Sequence, residues 1–315
     1  MRRKKWKQQA RILQYLFYVG VRIGVCFFQV MSNSAARALA DLVGWIVFTF
    51  DHKHRRMALD NLRQAFPGRY SEKQLHAMVL ATYRHFFTLF GEIIQMPRKV
   101  HRHNADYHLD LGPRKEEVLK LLHSDRPLLI VTGHFGNWEL AGVWLGALGF
   151  RTYAVARPLD NVYLNAYFQS IREHLGQTIL PKRDLPLIQR TLAQGGKVAV
   201  LADQYAGPRG QMVDFFGRQA SAYRGISILA LQHNAPLLVV GVRKVAEPMR
   251  YQAVITDIID PEEYTGSPSE NVRQITQRYS TGLENVIRSA PEQYFWIHNR
   301  WKPHRQPKSD MARAA

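Results

Sequence analysis

The stretch LLIVTGHFGNWELAG, residues 128–142, sets a histidine and a carboxylate where an apolar run ends. His134 follows Thr132 and Gly133, and Glu139 stands five positions on, past Gly136, Asn137 and Trp138. A carboxylate that holds one imidazole nitrogen fixes the tautomer and strengthens the other nitrogen as a base. The free nitrogen could then take a proton from a hydroxyl while that oxygen attacks an acyl carbon. No enzyme serine is needed if the substrate brings its own hydroxyl. The competing reading is a turn histidine followed by an acid that suits a helix start. The strand end, the two glycines and Trp138 favour chemistry, because glycine lets the backbone turn tightly against a substrate.

Other residues fall at similar places. Arg157 follows FRTYAVA (150–156), where a guanidinium can grip a phosphate through two hydrogen bonds. Asp203 ends KVAVLAD (197–203) and reads equally as orienting an active-site group or as capping the long loop to 222. Arg224 and Gly225 open RGISILALQHNA (224–235), whose first N–H groups suit a phosphate or an oxyanion. FFG (215–217) reads as acyl-pocket lining or core, and FWIHNRWK (295–302) as a cover for the site or as aromatic packing under the last helix. The histidines of HRHNADYH (101–108) are not completed by a nearby ligand set, so no metal is expected. No Walker or dinucleotide glycine loop and no G-x-S-x-G motif occurs.

The elements that must position these groups alternate in type. Apolar strands at 127–133, 150–156, 197–203, 236–245 and 251–259 alternate with helices at 136–149, 160–175, 184–196 and 224–235, before a closing helix near 268–289. That order predicts an α/β fold with a largely parallel central sheet flanked by helices. In such a sheet, ligands sit beyond the carboxyl ends of the strands, where His134, Arg157 and Asp203 fall. Upstream, residues 51–96 are helical, with Ser71 and Gln74 in capping-box spacing and an end expected before Pro97.

In front lies an N-terminal helical membrane anchor over residues 1–50, leaving 51–315 as the catalytic domain. Residues 12–31 are long enough to cross a hydrocarbon layer of ~30 Å, and 38–50 are too short to do so alone. Eleven Lys or Arg stand against two acids in residues 1–56, half of a net charge of +18. Basic residues flank both apolar stretches, which favours an amphipathic or re-entrant anchor beside a single span, a signal peptide or a buried helix. Basic charge beside apolar length points to a membrane and not to nucleic acid. The single cysteine, Cys26, excludes an intramolecular disulfide framework.

GHFGNWE, ARP (156–158), ADQ (202–204), VDFFG (213–217), RGISILALQHNAPLL (224–238) and WIHNRWK (296–302) occur in the order in which they are found in the lipid A late acyltransferases. The chain resembles that lauroyl- and myristoyltransferase-like family, with its His-x4-Asp/Glu motif, over nearly its whole length. The resemblance implies transfer of a fatty acyl chain from an acyl carrier protein thioester, less often acyl-CoA, to a hydroxyl of a lipid A precursor or similar glycolipid. His134 matches the motif's general base, Glu139 its acidic partner, and Arg157 an arginine that holds an anionic group. The implied partners are acyl carrier protein, an anionic glycolipid and the inner membrane, with the catalytic domain on the cytoplasmic face and neither cofactor nor metal. Two alternatives stand beside this. One is a glycerolipid or lysophospholipid acyltransferase using acyl-CoA, whose Pro-Glu-Gly-Thr-type block is absent here. The other is a non-catalytic basic membrane-binding protein.

Overall fold

The computed structural model describes residues 2–174, 176–246 and 248–302, without the side chains of 2–10 and 174. Residues 303–315 of the expected catalytic domain, and the basic side chains ahead of Arg11, therefore lie outside the described residues.

The strands are β1 (Leu109–Asp110), β2 (Leu128–Thr132), β3 (Thr152–Ala156), β4 (Gln177–Pro181), β5 (Lys197–Leu201), β6 (Gln211–Phe215), β7 (Arg218–Ala222), β8 (Leu237–Ala246) and β9 (Arg250–Ile259). Seven of them form one sheet in the order β1-β9-β8-β2-β5-β3-β4, parallel throughout except for the antiparallel β8–β9 pair. The chain runs from β2 to β3 and β4, then returns β5 to the gap between β2 and β3. In that register Thr132 of β2 lies opposite Leu201 of β5, so the residues after both strands emerge side by side. The central strands are buried on both faces, which is why they read as unbroken apolar runs.

Helices α1 (Arg2–Val30), α2 (Asn33–Phe50), α3 (His52–Ala65) and α4 (Glu72–Lys99) precede the sheet. The capping box at the start of α4 forms as its spacing predicts, with Ser71 Oγ accepting from Gln74 N–H and Gln74 Oε1 from Ser71 N–H. Pro97 does not end that helix. It sits inside the last turn, which Val100 closes by donating to the Met96 carbonyl at 2.9 Å. The remaining helices are α5 (Ala105–His108), α6 (Lys115–His123), α7 (Trp138–Ala147), α8 (Val162–His174), α9 (Leu185–Ala193), α10 (Arg224–His233) and α11 (Pro268–Ser289). Two apolar clusters fill the two faces of the sheet. One lies beneath α3, α10 and α11, and the other beneath α6 and α7.

Helix α1 does not stand away from this body. It lies along α4 and α8, where Tyr15 and Tyr18 pack on Tyr163 and Tyr167, and Arg22 sits 4.3 Å from the Tyr167 ring centre. Gln29 donates to the Ile94 carbonyl, and Gly91 leaves room for the Phe28 ring. The outward side of α1 carries Leu13, Leu16, Phe17, Ile23, Phe27 and Val30, all exposed.

Candidate active site

The turn after β2 is tight: Gly136 admits no side chain, and Gly133 leaves little room for one. Gly136 has φ +55°, and a Cβ on it would lie 1.7 Å from the Val242 carbonyl oxygen. A Cβ on Gly133 would press against Asp203 at 3.1 Å. His134 emerges between them, its side chain 21% exposed, with its ring 5.1 Å from Trp138 and 5.9 Å from Phe295.

The carboxylate that holds the imidazole is that of Asp203. His134 Nδ1 lies 2.9 Å from Asp203 Oδ1, and the His134 backbone N–H donates to Oδ2 at 2.9 Å. This follows from the register, since β2 and β5 are neighbours and both residues lie just past their carboxyl ends. Of the two readings open for Asp203, the fold makes the orienting one. Nδ1 carries the proton toward the carboxylate, leaving Nε2 free as an acceptor. Burial pulls the imidazole toward its neutral form, but the charge and hydrogen bond of Asp203, with Glu139 further off, win and raise its pKa above the ordinary value. Burial would raise Asp203, and the same pairing holds it below the usual carboxylate range.

Glu139 corrects the expected dyad. It sits in the first turn of α7 as predicted, yet it turns toward α8, not back to the imidazole. Its two oxygens receive Arg172 Nε at 2.9 Å and Nη2 at 2.7 Å, a two-pronged pair between α7 and α8. The fork satisfies both carboxylate oxygens, whereas the imidazole already has a partner on the adjacent strand.

Two apolar cavities meet at this pair. A slot of about 80 Å³ runs down between α7 and the sheet, from Trp138, Thr132 and Glu139 to Leu145, Thr152 and Gln177. The Thr152 hydroxyl, which lines the slot, is buried without a hydrogen-bond partner among the described residues. A second groove of about 240 Å³ lies between α4, α7 and α8, lined by Phe90, Ile93, Phe168 and Leu159. Trp138, Glu139 and Arg172 belong to both.

The other predicted residues distribute differently. Arg157 follows β3 on the same sheet edge and lines the groove, with its side chain 79% exposed and 3.0 Å from Asp160. Arg224 and Gly225 do begin α10, but both are exposed and line neither cavity, and no described hydrogen bond joins them to His134 or Asp203. Phe215 and Phe216 are core residues packed with Phe66 and Trp296, not cavity lining. Segment 295–302 both packs in the core through Trp296 and reaches the site, since Phe295 N–H donates to the His134 carbonyl at 3.0 Å.

A buried polar cluster that spacing does not reveal holds the His134 turn from below. Asn137 caps α7 by accepting from Leu140 N–H at 2.9 Å, and its amide reaches Glu92 and the Tyr251 hydroxyl. Glu92 in turn binds Lys244 at 2.7 Å and Tyr251. His85 of α4 donates from Nε2 to the Gly136 carbonyl at 3.2 Å, and burial pushes its pKa down to about 4. Asn137 has no role assigned from the sequence, and its tie to Glu92, 45 residues earlier, is not visible in spacing.

The structure defines a mainly parallel α/β protein with a His–Asp pair at the carboxyl edge of its sheet, beside Trp138, which lines two apolar cavities. The chain belongs to the bacterial lipid A biosynthesis acyltransferase family, whose model matches residues 3–303. It is 27% identical over 189 residues to the lipid A biosynthesis lauroyltransferase of Escherichia coli, covering 59% of this chain and 60% of that one. It therefore spans less than two thirds of that relative's length. Lipid A biosynthesis acyltransferase 2 of Shigella flexneri is 22% identical over 298 residues, 93% of this chain and 91% of its own. A phosphatidylinositol mannoside acyltransferase of Mycolicibacterium smegmatis is 29% identical over 127 residues, 39% of this chain and 42% of its own.

Proposed function

We propose that the protein is an O-acyltransferase that moves a fatty acyl chain from an acyl carrier protein thioester to a hydroxyl of a lipid A precursor or similar anionic glycolipid. It would work at the cytoplasmic face of the inner membrane. The observation that carries this reading is the Nε2 of His134, backed by buried Asp203, in a ring 5.1 Å from Trp138, which lines both apolar cavities.

Nε2 of His134 takes the proton of the acceptor hydroxyl as its oxygen bonds to the thioester carbon. The C–S bond then breaks, and the thiolate leaves with the proton returned by the imidazolium. Asp203 keeps Nδ1 protonated and stabilises the transient cation, a role worth about 10²–10⁴ in rate. The acyl chain lies in the slot along α7, and the groove beside Phe90 receives the lipid acceptor from the membrane side. Glu139 and Arg172 hold the wall between the two. Arg157 at the groove's mouth meets the acceptor's anionic group. No metal or cofactor is assigned a step.

The deciding assay offers radiolabelled acyl carrier protein thioesters to a panel holding lipid A precursors, phosphatidylinositol mannosides and lysophospholipids, with Asp203→Asn in parallel. Transfer to a lipid A precursor that disappears in the variant supports the full reading. Transfer to a different lipid keeps the chemistry and changes the acceptor. Activity only with acyl-CoA replaces the donor.

A further inference from the structure

The slot along α7 changes character at the end away from the dyad. Thr152 and Gln177 are the first residues of β3 and β4 and stand side by side as register partners. Register partners on neighbouring parallel strands project from the same face of a sheet, with backbones about 4.8 Å apart. Here that face lies under α7, since both residues line the slot together with Gly142. The register also fixes their depth. Thr152 is level with Lys197 of β5, whereas Thr132, at the mouth, is level with Leu201. That length of strand is about 13 Å.

Both residues carry hydrogen-bonding capacity that the described residues do not take up. Thr152 is 1% exposed, and its hydroxyl has no partner among them. Gln177 is 5% exposed, and its amide makes no hydrogen bond among them. Helix α7 is shaped around that amide, because a Cβ on Gly142 would lie 1.8 Å from Gln177 Nε2.

Packing does not account for this pair. Valine would fill the Thr152 site and leucine the Gln177 site, without burying a polar group that lacks a partner. Native proteins pair nearly all their buried polar groups, so two unpaired ones side by side in one cavity call for a ligand. The rest of the slot shows the contrast. At its mouth the polar groups are matched, with Glu139 holding Arg172 through both oxygens. Midway down, Ile130, Ala154, Ile179 and Ala199 share one level of the sheet and are all apolar.

We propose that Thr152 and Gln177 form a polar subsite at the inner end of the slot, which binds an acyl chain bearing a hydroxyl far from its thioester. This rests on the slot holding the acyl chain, as in the function proposed above. A threonine hydroxyl and a primary amide together offer donors and acceptors, the complement of an alcohol. A hydroxyl on the third carbon of the chain stays at the mouth and does not reach them. A chain that ends in a methyl group leaves both unpaired, so the inner end of the slot selects by chemistry as well as by length.

The test measures calorimetric binding of hydrolysis-resistant acyl-pantetheine analogues to the full chain in detergent. The probes are decanoyl, dodecanoyl and tetradecanoyl chains, each plain, hydroxylated on the third carbon, or hydroxylated at the far end. At the length that reaches the subsite, the far-end alcohol binds about ten-fold more tightly than the plain chain, and the third-carbon alcohol does not. Thr152→Val/Gln177→Leu reverses that order, because the alcohol is then buried against carbon. Thr152→Val alone narrows the preference while its melting temperature holds or rises, the mark of a hydroxyl kept for a ligand and not for the fold. The same preference in wild type and the double variant overturns the proposal, and so does a wild type that favours plain chains at every length. Should the double variant fail to fold, Thr152→Val decides, and an unchanged preference in it overturns the proposal. Plain chains that bind as well as alcohols strike the subsite and leave the acyltransferase reading standing. If no chain binds, the slot does not hold the acyl group and both fall.

Discussion

At the residue scale, the two carboxylates near His134 have separable roles. Asp203→Asn keeps the shape but removes the charge opposite Nδ1, so kcat falls about 10²–10⁴-fold with little change in melting temperature. Glu139→Ala instead leaves the partly buried Arg172 without its partner, at a cost of about 1–3 kcal/mol of stability. Replacing both Glu139 and Arg172 with leucine restores most of that loss, since an apolar pair can fill a partly buried ion-pair site as well. Thermal melts and kcat for the three proteins decide it. Should Glu139→Ala lower kcat as far as Asp203→Asn while its melting temperature stays put, Glu139 is the partner of the base. The pH dependence has a definite sign. His134 lies above its ordinary value of about 6.5, so the rate climbs with pH through a limb above that value and then levels off. Asp203→Asn moves the limb down, because the largest influence holding the proton on the imidazole is gone. A limb that stays in place in that variant rules out His134 as the titrating base.

At the scale of elements, α4 and α7 fix where the His134 turn sits and how deep the slot runs. His85 bridges α4 to the Gly136 carbonyl, and its folded value of about 4 lies below the unfolded ~6.5. A depressed histidine stabilises the fold above the unfolded value, and that contribution is lost as pH falls from about 6.5 toward 4, up to roughly 3 kcal/mol. Urea midpoints of wild type should therefore drop more steeply over this window than those of His85→Gln, and parallel curves would remove His85 from the account. On α7, a Cβ at Gly142 would meet the Gln177 amide at 1.8 Å, so Gly142→Val forces that side chain into the slot. The longest accepted acyl chains then lose about ten-fold or more in kcat/KM while shorter ones are spared. An unchanged chain-length profile would place the acyl chain elsewhere. Most strands of the sheet and the place of His134 were legible because buried parallel strands write themselves as apolar runs, and the residue after such a run is at the ligand edge. The partner of His134 was ambiguous because a spacing of five names the acid nearest in sequence, whereas β5 returns beside β2 and brings Asp203 from 69 residues away. The β6–β7 hairpin was read as loop because its turn uses Phe216 at φ +56° before Gly217, in place of an asparagine–glycine signal. Strand β4, QTILP, was missed because Gln177 and Thr178 leave it only two apolar residues before its terminal proline.

At the scale of the whole molecule, the arrangement of α1 bears on how a basic protein would meet a bilayer. By length and composition Arg11–Val30 could cross one. To do so it would have to leave the tyrosine cluster on α8, the Gln29–Ile94 hydrogen bond and the seat of Phe28 beside Gly91. Lying flat keeps all of these and leaves Phe17, Ile23 and Phe27 exposed, as are Trp45 and Phe50 of α2 and Phe90 of α4. Each of these large side chains that inserts into a bilayer contributes about 1.5–3 kcal/mol. The prediction is a monotopic protein. In vesicles reconstituted with the domain outside, protease removes an N-terminal epitope together with the domain, and the exposed Cys26 thiol becomes shielded from a water-soluble maleimide once vesicles are added. Phe27→Glu should lower vesicle partitioning at least ten-fold, and high salt alone should not release the wild type, because apolar insertion is not screened as charge is. An epitope that survives inside sealed vesicles means that α1 has left α4 and α8 and spans. Helices α4 and α8, which line the groove beside Phe90, would then have lost their contacts with α1, and the proposed acceptor binding would depend on whether α1 is inserted.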